Sequence, residues 1–194
     1  MTFARIVAAV AAVVVAAAAT VLIVTQLREF TTSATTPPST TDSPLPTTQG
    51  DPLRVTIPAI GVDAQLVPVG LKPDGSMQTP AFGLAAWYQP GPRPGEPGPA
   101  VLVAHVDSKA NGPDVFYRLR ELAPGDQITV HYRDTTTTFA VTSKEQAAKT
   151  DLPTERIWTG TTTPVLRLIT CGGAFDRSAR SYLDNVIVYA DRLV

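Results

Sequence analysis

From Leu53 onward the chain is broken into short runs of β-branched and aliphatic residues, each too short to bury a helical face. They read LRVTI (53–57), AQLVPVGL (64–71), AVLVAHV (100–106), QITVHY (127–132), TFAVTS (138–143), VLRLIT (165–170) and NVIVYA (185–190). Turn signals such as KPDGS and APGD fall between them, and Gly, Pro and Asp punctuate the rest. Many short strands at this spacing predict a mostly-β domain, a barrel or a sandwich. Only DVFYRLREL, Asp114–Leu122, carries helix-like spacing. Tyr88–Pro99, YQPGPRPGEPGP, is too rich in Pro and Gly for a strand and predicts a stiff surface loop.

Two segments precede this domain. Ile6–Val24 is nearly continuous Ala, Val, Ile and Leu, with Arg5 before it and Arg28 after it. At about 1.5 Å per residue the run is roughly 28 Å long, enough with its flanks to cross a hydrocarbon core of about 30 Å. AAAAT supplies small residues that a signal peptidase accepts, but the apolar run continues through VLIV, so an uncleaved single-pass anchor is the expectation for residues 1–30. Arg5 and the amino terminus favour a cytoplasmic N-terminal end, because Glu29 offsets Arg28 on the other side. Residues 31–50 are mostly Thr, Pro and Ser, a composition that buries no core and predicts an extracytoplasmic stalk. Residues 51–194 then form one domain outside the cell membrane.

A formal charge of −1 with no Lys or Arg block leaves no electrostatic footprint for nucleic acid. The single cysteine, Cys171, excludes an internal disulfide and a Cys-rich zinc site. It follows the run VLRLIT and precedes Gly172 and Gly173, so it is predicted to end a strand where small neighbours leave room for a substrate. Two readings stand on these residues alone: a small buried hydrophobe before a turn, or a thiolate nucleophile. The two histidines differ. His131 alternates onto the polar side of QITVHYRD, whereas His105 follows the apolar AVLVA where a buried strand surfaces. Asp107, two residues on, either orients the imidazole or begins a turn, and the turn is favoured.

AHVDS around His105, FYRLREL and PGD after it, LRLITCGG around Cys171 and the ending SYLDNVIVYA together resemble a sortase, most closely the class F sortases of actinobacteria. The resemblance covers Leu53–Val194, and the anchor and stalk agree with it. It implies an eight-stranded β-barrel with short helices and a cysteine transpeptidase that cuts a sorting signal on a surface protein and passes the acyl group to an amine. It also implies a catalytic Cys171 and His105, an arginine at the start of the last strand, and no cofactor or metal. Arg180 is the best match for that arginine. Arg177 is a second candidate, Asn185 begins the apolar run itself, and Arg167 stands where many sortases have Thr and shares a face with Cys171 by alternation. A monomer is expected. The alternative is a non-catalytic β-domain on a stalk that binds envelope components.

The implied chemistry is acyl transfer. Cys171 attacks a peptide carbonyl, His105 protonates the departing amine, and Arg180 stabilises the oxyanion. LPTTQG, Leu45–Gly50, resembles a sorting motif with Gln in place of Gly, but a chance hit in a Thr- and Pro-rich linker is the favoured reading.

Overall fold

The computed structural model describes residues 50–194. The expected membrane helix, nearly all of the stalk and most of LPTTQG lie outside the described residues.

Eight strands close into a barrel in the order β1-β2-β3-β4-β9-β10-β8-β7. They are β1 (Arg54–Ile57), β2 (Val62–Val69), β3 (Ala85–Tyr88), β4 (Gly98–Ala104), β7 (Gln127–His131), β8 (Thr136–Ala148), β9 (Pro164–Asp176) and β10 (Ser181–Arg192). A small separate hairpin pairs β5 (Asp107–Ser108) with β6 (Gly112–Pro113), and one short helix, α1, spans Thr154–Trp158. The barrel is the form expected from the sequence.

Two apolar layers explain the sequence pattern. In β2, Val62, Ala64 and Leu66 point inward while Asp63 and Gln65 face water, the alternation of a strand buried on one face. β4 instead is buried along its whole length. Its Ala100, Leu102 and Ala104 fill the barrel with Leu166, Leu168 and Phe139. Its Val101 and Val103 join an outer cluster with Ile187, Tyr189 and Ile157 of α1. The unbroken AVLVA therefore marks a strand covered on both sides.

Three local expectations change. Asp114–Leu122 is not an α-helix: turns lead into a 3-10 helix at Leu119–Glu121. Its buried residues Phe116, Leu119 and Leu122 recur every third position, which suits three residues per turn. β3, AAWY, was not expected because Ala is a poor strand former; its pairing with β2 on one side and β4 on the other overrides that preference. Finally, β9 does not end before Cys171 but runs on to Asp176, paired with β10. Of the expected loop Tyr88–Pro99, residues 89–97 run as a loop, while Tyr88 ends β3 and Gly98 and Pro99 open β4; a 2.6 Å hydrogen bond from the Tyr132 hydroxyl to the Pro94 carbonyl ties the loop down.

Candidate active site

The site is built on the parallel pair β4 and β9. Their ladder ends with Val103 opposite Ile169. One residue further, Thr170 Oγ1 donates a 2.8 Å hydrogen bond to the carbonyl of Ala104, spanning the same offset of 66 residues. His105 and Cys171 are the next residues at that offset, and both line one cleft. The sequence placed both residues at strand ends. The structure keeps that for His105, which follows the last residue of β4, and places Cys171 within β9.

β9 continues past Cys171 because β10 follows it through a bulge. Gly172 lies opposite Asp184 and Phe175 opposite Tyr182, so β9 carries one extra residue. Gly173 absorbs it with φ +73°, in the left-handed region. A Cβ on Gly172 would meet Val186 Cγ2 at 2.8 Å, and one on Gly173 would lie 2.6 Å from Asp184 Cγ. The close approach of β10 requires both glycines, and they also line a small cavity beside Cys171.

His105 is half-buried, and its surroundings fix the roles of its two ring nitrogens. Nε2 lies 3.0 Å from the Pro80 carbonyl oxygen, which can only accept, so Nε2 carries a proton. Phe82 stacks on the ring with centroids 6.3 Å apart. Nδ1 is left without a hydrogen-bond partner among the described residues, free to exchange a proton. His131 sits on the outer face of β7 and bonds Thr56 Oγ1 at 2.9 Å.

His105, Cys171, Arg177 and Arg180 line one cleft of about 880 Å³. Both arginines come from the turn between β9 and β10. Asp176 organises this turn by accepting hydrogen bonds from Ser178 Oγ at 2.6 Å, Ser178 N at 2.7 Å and Ala179 N at 3.2 Å. The Ser178 hydroxyl, then the Ala179 and Ser178 amides, hold the Asp176 carboxyl below its usual range. Arg180 ends the turn at φ 48°, the one non-glycine residue with positive φ among the described residues. Such a backbone stores on the order of 1–3 kcal/mol.

Arg167 does not reach the cleft. It is 8 % exposed on the outer layer, where its Nε and Nη1 donate to the carbonyls of Arg156 and Leu166 and its guanidinium stacks on Tyr189. Burial pushes its pKa down from the ordinary value. Asn185 is the cross-strand partner of Cys171 but does not line the cleft.

Sequence reasoning missed Tyr182. Its hydroxyl donates a 2.7 Å hydrogen bond to Asp107 Oδ2, and its ring meets Phe175 edge-on at 5.1 Å. The bond to Asp107, reinforced by burial, pushes the phenol pKa up to about 12. Asp107 opens the β5–β6 hairpin and its side chain turns to Tyr182, not to the imidazole, in keeping with the turn reading. A smaller cavity of about 160 Å³, walled also by Phe116, Arg120 and Gln146, borders this pair too. Cys171, Val106, Asp107 and Tyr182 border both spaces.

A nucleophile, a general acid–base and the cations Lys109, Arg177 and Arg180 around one cleft constitute the parts of covalent acyl transfer. The chain matches the sortase domain family over residues 55–193. No curated protein sequence matches it. Its fold is similar to that of sortase C1 from Streptococcus suis, with a TM-score of 0.58 at 18% identity over 75% of this chain and 74% of that one. A Clostridium perfringens sortase D5 transpeptidase gives 0.55 at 18% identity, over 75% of this chain and 81% of that one. Sortase C-1 from Actinomyces oris gives 0.55 at 19% identity, over 74% and 76%.

Proposed function

Since this chain belongs to the sortase family and is a cysteine transpeptidase, we propose that it acts at the cell envelope. There it cuts a sorting-signal peptide bond through a thioester on Cys171 and transfers the acyl group to an amine. The observation that carries this reading is the shared cleft of Cys171, His105 and Arg180 at the end of the β4–β9 ladder.

Each residue has a part that its position supports. The Cys171 sulfur attacks the scissile carbonyl, and the developing oxyanion is stabilised by the Arg180 guanidinium. His105 delivers a proton from Nδ1 to the departing amine, because Nε2 is committed to Pro80. The C–N bond breaks and the thioester remains. An amine then attacks, His105 takes one of its protons, and the sulfur leaves as thiolate. Arg177, on the same turn, is the second candidate for the oxyanion.

We assign the chain to class F on the motifs AHVDS, LRLITCGG and SYLDNVIVYA. The likeness to sortases named C and D is one of fold. Residues 1–30 as a membrane anchor, residues 31–50 as a stalk and residues 51–194 as the extracytoplasmic catalytic domain complete the proposal, on the apolar run Ile6–Val24 and the composition that follows it.

The test incubates the enzyme with a library of sorting peptides and hydroxylamine and follows cleavage, capture and the acyl adduct by mass spectrometry. The expected result is an adduct on Cys171 that vanishes in Cys171→Ala. A normal adduct in His105→Ala would remove His105 as the essential acid.

A further inference from the structure

The amine that accepts the acyl group arrives as a cation, since alkylamines are protonated near neutral pH. The surroundings of Cys171 are hostile to it. Lys109, Arg177 and Arg180 line the larger cleft, and Arg120 lines the smaller cavity. Among the described residues, Asp107 is the sole carboxylate lining either space. It also belongs to the small group, with Cys171, Val106 and Tyr182, that borders both.

We propose that Asp107, oriented by the Tyr182 hydroxyl, is the docking group for the ammonium of the acceptor substrate and so selects cationic primary amines over water and neutral nucleophiles. The inference rests on the acyl-transfer reading of the site. An ionised carboxylate has about four lone-pair positions. Tyr182 occupies one on Oδ2 at 2.7 Å, and the remainder are open to an incoming N–H donor. Tyr182 is a neutral hydrogen-bond donor below its raised pKa of about 12, so it orients the Asp107 side chain without adding charge to the cleft. Ammonium–carboxylate hydrogen bonds are charge-assisted and are worth more in a partly desolvated cleft than in water.

The step balances without any further reactant. The docked ammonium loses one proton to Nδ1 of His105, and its freed lone pair attacks the thioester carbonyl. A C–N bond forms, the C–S bond breaks, and the sulfur leaves as thiolate. The nitrogen loses its second proton as the amide forms. One of the two protons returns to the Cys171 sulfur through His105, and the other passes to solvent.

The test uses a sorting peptide that acylates the wild-type enzyme, with two competing acceptors: glycinamide, mostly cationic at neutral pH, and hydroxylamine, mostly neutral there. Asp107→Asn should still transfer the acyl group to hydroxylamine, and its glycinamide transfer is read relative to that. Its KM for glycinamide should rise about tenfold or more, and Asp107→Glu should recover part of that loss. In the wild-type enzyme, a protonated tertiary alkylamine, which keeps one N–H donor but cannot form an amide, should inhibit transfer to glycinamide and spare transfer to hydroxylamine. This arm does not depend on any variant folding. Equal effects on both acceptors, or no effect on either, would overturn the proposal while leaving the thioester chemistry in place. Absence of any thioester in the wild-type enzyme would instead take down the reading on which it rests.

Discussion

Thr170 Oγ1 donates a 2.8 Å hydrogen bond to the Ala104 carbonyl, joining the residue before Cys171 to the residue before His105. Thr170 is 4 % exposed, so the bond is made in the barrel interior at the point where the β4–β9 ladder runs out. It holds the nucleophile and the acid in register. Thr170→Val keeps the shape and removes the donor, losing a buried hydrogen bond worth about 0.5–1.5 kcal/mol. The expected outcome is that loss in urea denaturation, together with acylation slowed about tenfold or more as the two groups drift from productive geometry. Thr170→Ser should restore both. Acylation at the wild-type rate in Thr170→Val would show that the bond serves stability alone.

The three arginines near Cys171 in sequence separate into different roles in space. Arg180→Ala should slow acylation by about 10²–10³-fold, the usual loss on removing an oxyanion donor. Arg180→Gly should do the same while gaining up to about 1 kcal/mol of stability, because it relieves the backbone at φ 48°. Arg167→Met should leave the acylation rate intact and alter only the melting temperature, since Arg167 is buried on the outer layer against Tyr189. Single-turnover acylation followed by mass spectrometry, beside calorimetry, distinguishes the cases. If Arg177→Ala lost the larger factor and Arg180→Ala little, the oxyanion role would move to Arg177.

What the sequence revealed of this site follows from which interactions are local. AVLVA and VLRLI are legible as buried strands from their apolar residues alone, and the positions of His105 and Cys171 beyond them follow directly. Arg167 is different. Alternation correctly puts it on the Cys171 face, but that face is covered near Arg167 by α1 and Tyr189 and open only farther along, a fact of tertiary packing. The Tyr182–Asp107 bond joins residues 75 apart, and no local pattern announces it. Gly172 and Gly173 looked like a turn because glycine pairs commonly make turns, whereas here they admit β10 at a bulge.

Gly173 provides a test of that bulge. Alanine there must take φ +73° and also displace Asp184, whose carboxylate is held by Gln146 Nε2 at 2.6 Å. Gly173→Ala should destabilise by more than about 1 kcal/mol. The Gly173→Ala, Asp184→Ala double variant should recover only the part due to contact, leaving the backbone strain. Full recovery in the double variant, read from denaturation midpoints, would mean that the left-handed conformation contributes nothing.

Alkaline stability reports on the Tyr182–Asp107 bond independently of activity. The Tyr182 phenol, held near 12 when folded against about 10 when unfolded, favours the folded state in its neutral form. A raised folded pKa gives stability that is fully present below about pH 10 and lost as the pH climbs towards 12, because over that window the unfolded chain releases the proton first. Tyr189, also raised to about 12, chiefly by burial and then by its hydrogen bond to Glu145, adds to the same decline. Urea midpoints measured from about pH 9 to 12 should therefore fall in the wild-type protein and fall less steeply in Tyr182→Phe. Asp107→Asn removes the largest cause of the Tyr182 shift and should flatten the curve similarly, whereas Tyr189→Phe should subtract a separate increment. Parallel curves for the wild type and Tyr182→Phe would mean that the hydroxyl is not held by Asp107 in solution.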